Sequence, residues 1–142
     1  MTGKFWLSAA VMFVLTFVLS WGVHGALLHA DYMAMLGSGA MRKPEDTHSL
    51  MPWMLLAHAV FALGFTWVYQ QGQTDKPWLA QGIRYGIAVA CLAIIPTYLI
   101  YHVVTPVPLF VAFKQIAFDT VRLVVMGAVL AWLNQGATTS HG

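Results

Sequence analysis

"LAQGIRYGIAVACLAIIPTYLIYHVV", Leu79–Val104, has Arg84 as its only formally charged residue, and that lies near one edge. A bilayer core about 30 Å thick takes about 20 residues of helix, at about 1.5 Å per residue. The stretch is therefore long enough to cross. In water, a helix apolar on all sides would need a large core to hide in. The 142-residue chain is 59% hydrophobic and 8% charged, so it could not cover such a core with polar surface. An ordinary soluble domain has about 25% charged residues. Composition and this one stretch together place the chain in the membrane class.

Three further stretches meet the same length rule: Phe5–Leu28, Met51–Gln70 and Val107–Leu133. Lipid cannot satisfy open backbone groups, and no alternating strand pattern is present, so each is read as a helix. The expected fold is all-α: an integral membrane, antiparallel four-helix transmembrane bundle, with residues 1–142 as a single domain. The first helix is expected to run past the lipid to Leu36, where "GSG" (Gly37–Gly39) stops it. Thr47 or Ser49 is expected to cap the second helix. Pro96 should kink the third and free a carbonyl one turn earlier. "TPVP", Thr105–Pro108, is short enough to make the third and fourth helices a tight pair. Gly82 and Gly86 have the spacing that lets two membrane helices approach closely. The tail Asn134–Gly142 is expected to fray.

Lys4 followed by "FWLSAAVMFVLTFVLSWGV" has the outline of a signal peptide. Its apolar run exceeds the usual length of about 7–15 residues and no A-x-A site follows, so it is read as a retained membrane helix. The net charge of +2 contains no basic run, which argues against a nucleic-acid partner. Cys91 is the sole cysteine, so internal disulfides and CxxC motifs are excluded; it is expected to be a small buried hydrophobe. Trp21, Trp53, Trp78 and Trp132 fall near span ends, as interfacial belts do. Lys4, Lys76, Arg84 and the α-amino group fall at the end that holds both termini, the near end. Arg42, Lys43 and Lys114 fall at the far end. This leans toward cytoplasmic termini.

The remaining polar residues gather in the far half. Counting about 1.5 Å per residue from the centre of each span puts Arg122 close to the midplane. Asp119 and His58 then lie about 4 Å toward the far side, Tyr98 about 9 Å, Lys114, Gln115 and His24 about 10 Å, and His102 about 15 Å. Gln115, Asp119 and Arg122 follow i, i+4, i+7 and form one stripe of the fourth helix, with Lys114 a quarter-turn away, placed to snorkel. Thr16, Ser20, His24 and Asp31 share a stripe of the first helix. Tyr98, Tyr101, His102 and Thr105 cluster on the third. An unpaired Asp or Arg at a helix centre costs about 2.5–3.5 kcal/mol on insertion scales, so these stripes should face inward together. The candidate ligand or ion site is Asp119, Arg122, His58, Gln115, His24, Tyr98, Tyr101 and His102. No catalytic signature, phosphate loop or zinc motif is present.

Taken in order, Trp21, His24, Tyr32, Pro52, Gly82, Gly86 and Pro96, within "WGVHGALLHADY", "PWMLLAHAVFALGFTWVY", "WLAQGIRYGIAVA" and "PTYLIYHVVTPVP", resemble small four-helix bacterial membrane proteins of unknown function. The resemblance implies a four-helix fold and a bacterial inner-membrane location, and implies no activity. Three functional readings stay open. The leading one is a non-enzymatic bundle, packing as a homo-oligomer or in a larger membrane complex, whose polar half-site serves assembly or a small ligand. The second is a small transporter or proton relay using Asp119, Arg122 and His58. The third is a haem- or quinone-bearing electron-transfer subunit, with His24 and His102 as axial ligands.

Overall fold

A computed structural model describes residues 2–136. Of the tail expected to fray, residues 137–142 lie outside that range. Among the described residues the chain is helical and forms no strand. Four helices there are long and apolar enough to cross a membrane: Gly3–Leu27, Glu45–Gln71, Trp78–Val104 and Leu109–Leu133.

The first span begins as α1 (Gly3–Ser20) and widens into a π-helical segment, Trp21–Leu27. It does not run on as one helix to Leu36. Leu28 leaves helical geometry at φ −98°, ψ 3°, and a separate short helix, α2 (His29–Ala34), follows. A 3-10 turn at Leu36–Ser38 then ends on Gly39, whose φ of 78° suits glycine. The second span is entered through α3 (Pro44–Thr47) and a 3-10 turn before α4 (Met51–Gln71). The helix thus starts earlier than a cap at Thr47 or Ser49 would allow, with Pro44 at the first position, where its missing N–H costs nothing. The Ser49 hydroxyl bonds back to the Asp46 carbonyl.

The third span is α5 (Trp78–Val89), a π-helical segment (Ala90–Ile94) and α6 (Ile95–Val104). The irregular turn sits immediately before Pro96, which has no N–H to return to the preceding turn. The fourth span, α7 (Leu109–Leu133), starts after Pro108 rather than at Val107.

Three glycines set the closest packing. A Cβ on Gly82 would stand 2.5 Å from the Gly127 carbonyl oxygen, and one on Gly86 would collide with the Leu123 carbonyl. Gly127 in turn meets the Gly82 carbonyl. Backbone therefore lies on backbone between α5 and α7. Alongside them Met12, Ala62, Phe65, Leu123, Met126, Leu130 and Ala131 form the apolar core. Tyr85 donates to the Phe65 carbonyl at 2.6 Å and ties α5 to α4. Near the start of α1, Ser8 accepts from Asn134 Nδ2 at 3.1 Å, while Asn134 Oδ1 accepts from Gln70 at 3.0 Å. Those two bonds collect the ends of three helices around one buried amide.

Cys91 is exposed rather than buried. It lies on the outward side of the third span, whose inward side is occupied by Gly82, Gly86 and Ala90. Trp21, Trp53 and Trp132 are exposed, as belt residues would be.

Candidate functional site

Asp119 is the centre of the far-half polar cluster. It is wholly buried on α7, and three elements converge on it. From α6, the Tyr98 hydroxyl donates to Oδ2 at 2.5 Å. From the π-helical part of the first span, His24 brings Nε2 to 3.3 Å of the same oxygen. From its own helix, one turn on, Arg122 places Nε 2.9 Å from Oδ1. That N–H does not aim along the line to the oxygen, so the contact is charge pairing rather than an aligned hydrogen bond.

The cluster extends outward through His24. Its Nδ1 lies 2.6 Å from the Tyr32 hydroxyl, and the two rings stack at 6.0 Å. Gln115 Nε2 donates to the same hydroxyl at 3.0 Å. With the His24 proton on Nε2, donor counting gives a consistent direction. Gln115 gives to Tyr32, Tyr32 gives its proton to His24 Nδ1, and His24 Nε2–H faces Asp119. Burial raises the pKa of the Tyr32 phenol, so it stays protonated and able to donate at neutral pH. At the rim Lys114 holds both oxygens of Asp31 at 2.9 Å, stapling α2 to the start of α7.

The structure brings together Asp119, Arg122, Gln115, His24 and Tyr98 from the expected set. The other three lie elsewhere. His58 Nδ1 bonds the Met54 carbonyl of its own helix at 2.7 Å, and its ring stands edge-on to Phe17 at 5.4 Å. His102 Nδ1 bonds the Val107 carbonyl at 2.7 Å and closes the turn between α6 and α7. Tyr101 is exposed; its carbonyl accepts from the Thr105 hydroxyl. Both nitrogens of His24 are engaged, so axial ligation of a haem by His24 would have to break a bond to Tyr32 or Asp119.

Two participants were not placed in the site by the sequence: Tyr32 entered only through the resemblance, and Asp31 only through its polar stripe. Tyr32 reaches His24 only because the wide π turn and the break at Leu28 bring "HADY" back toward the helix axis. Asp31 could have been matched to Lys114 by sign and depth.

No family model matches this chain, and neither the curated proteins nor the solved structures give a match. The functional reading therefore rests on the geometry.

Proposed function

We propose that the chain is a non-enzymatic, multi-pass membrane protein that works by packing against further copies of itself or a larger membrane complex. The arrangement proposed is an antiparallel four-helix bundle. Three contacts support it for the first and last spans: Ser8 with Asn134, His24 with Asp119, and Asp31 with Lys114. Gly82 against Gly127 and Gly86 against Leu123 do the same for α5 and α7. The location proposed is a bacterial inner membrane, on the resemblance carried by the first three spans.

The observation that carries the packing role is the third span. Only 6% of its most apolar window is buried within the chain, while Leu92 and Val103 are each 81% exposed. The polar cluster, by contrast, is turned inward, with Tyr98, His24 and Arg122 converging on Asp119. What the molecule offers to its surroundings is helix face, covered by lipid or by a neighbouring helix. Cys91 gives the test, because it sits on that face. Mild oxidation of membranes containing the full chain, extended to single cysteines at Ala88, Leu92 and Ile95 in a Cys91→Ala background, should give cross-linked species at one helical face. Absence of any cross-linked product at all four positions would sink the packing role.

A second reading has its own observation. The line of contacts Tyr32–His24–Asp119 is a route by which a proton could pass between the rim and the interior of the cluster. In this form His24 takes the place proposed for His58. Proton flux into proteoliposomes should then disappear in Asp119→Asn and persist in His58→Gln; full flux in the Asp119 variant removes the reading.

A further inference from the structure

The near end of the molecule holds a second polar site that neither reading uses. The connection 72–77 folds back over the first turns of α5, and Gln81 pins it there. Thr74 N–H donates to Gln81 Oε1 at 3.0 Å, while Gln81 Nε2 donates to the carbonyls of Thr74 at 2.6 Å and Lys76 at 2.8 Å. Between this connection and the helices lie two adjoining clefts, of about 420 and about 350 Å³, which share Tyr69, Thr74, Lys76 and Gln81. The smaller cleft is lined by both Lys76 and Arg84 and by no carboxylate. Asp75 lines only the larger one. Among the described residues neither cation has a carboxylate within ion-pair distance.

We propose that this smaller cleft binds a phosphate-bearing anion between Lys76 and Arg84. Both line one concavity that no carboxylate lines with them, so an anion seated there meets two positive charges. A guanidinium fork fits phosphate oxygens in pairs, and the lysine supplies a point charge opposite it. Because Gln81 fixes the loop through three hydrogen bonds, little ordering is required when the ligand arrives. The charge distribution of the whole chain agrees. At the far end Arg42, Lys43 and Lys114 are matched by Asp31, Glu45 and Asp46, and at mid-depth Arg122 is matched by Asp119. The net charge of +2 therefore resides at the near end, in Lys4, Lys76 and Arg84 against Asp75. The cleft lies where the second span ends and the third begins. If the bundle lies in a bilayer, as proposed above, that is headgroup depth, and a phospholipid headgroup is the phosphate nearest to hand.

The test uses the full chain purified in neutral detergent. Retention of phosphatidylglycerol and of phosphatidylcholine is read by native mass spectrometry, and binding of inorganic phosphate by equilibrium dialysis. The expected result is retention of phosphatidylglycerol over phosphatidylcholine, with about a thirtyfold loss of affinity in Lys76→Ala/Arg84→Ala. Lys4→Ala should leave affinity unchanged, and Lys76→Arg/Arg84→Lys should keep most of it. If inorganic phosphate binds with the same dependence on the two cations and phosphatidylglycerol does not, the anion site stands and its ligand is a free phosphate. That outcome would count against the membrane placement of the cleft alone. The proposal is overturned if the double alanine variant binds both probes as the parent does, or if the parent binds neither.

Discussion

At the scale of single residues the central fact is a carboxylate with no exposed surface, in a helix otherwise suited to lipid. Charge at that depth persists only when it is paired, and here Arg122, His24 and Tyr98 share the pairing. Removing one member of a buried pair leaves the other uncompensated, at a cost of about 3–5 kcal/mol; removing both costs far less. Asp119→Asn should therefore destabilise strongly, Arg122→Gln likewise, and the double variant should recover more than half of the summed loss. A double-mutant cycle on unfolding by SDS from mixed micelles measures this, and simple additivity would mean that the two residues are not coupled. Which residues form the cluster was only partly legible beforehand. Gln115, Asp119 and Arg122 share one helix, so periodicity alone aligns them. Depth arithmetic put His58 nearer to Asp119 than His24. Depth, however, says nothing of how one helix is rotated toward another, and His58 spends its donor on the Met54 carbonyl.

At the scale of elements, two π-helical segments and one glycine contact decide what meets what. The expectation of a kink at Pro96 located the second irregularity correctly in sequence. The first π-helical segment has no proline to announce it; "WGVHGAL" carries only Gly22 and Gly25 as signs of a pliable backbone. Gly82 and Gly86 showed their spacing openly. Their partner Gly127 has Ala131 rather than a second glycine four residues on, a weaker form of the same spacing, and nothing in the sequence pairs it with Gly82. This contact makes a direct comparison possible. Gly86→Ala or Gly127→Ala must push two backbones apart, and each should cost about 1–3 kcal/mol. Gly64 is exposed on α4, with nothing within 4 Å of a Cβ placed there. Gly64→Ala should instead be neutral or stabilise by up to about 1 kcal/mol, from helix propensity alone. Thermal unfolding of the three variants in one detergent separates the cases. Equal destabilisation by all three would mean that α5 and α7 are not in backbone contact.

At the scale of the whole molecule, the proposed bacterial inner-membrane placement raises the question of which end faces the cytoplasm. Lysines and arginines divide three and three between the two ends, so a bare count decides nothing. Their surroundings differ. Lys114 is held by Asp31, and Arg42 and Lys43 stand two to four residues from Glu45 and Asp46. Among the described residues Lys4 meets the Gln135 carbonyl, and no carboxylate lies within ion-pair distance of Lys4, Lys76 or Arg84. An anionic cytoplasmic leaflet attracts charge that is not already neutralised, by about 1 kcal/mol per residue near its surface. The near end should therefore face the cytoplasm, taking both termini with it. A green fluorescent protein fused to the C-terminus should then fluoresce, and an alkaline phosphatase fused at the same place should be silent. Because the margin amounts to only two or three residues, it should be movable. Lys4→Gln with Lys76→Gln should turn a measurable fraction of molecules over and raise phosphatase activity, whereas Arg42→Gln with Lys43→Gln should lower any residual inverted fraction. Phosphatase activity in the unaltered chain, equal to that of a known periplasmic fusion, would reverse the orientation and place the Lys76–Arg84 cleft on the outer face.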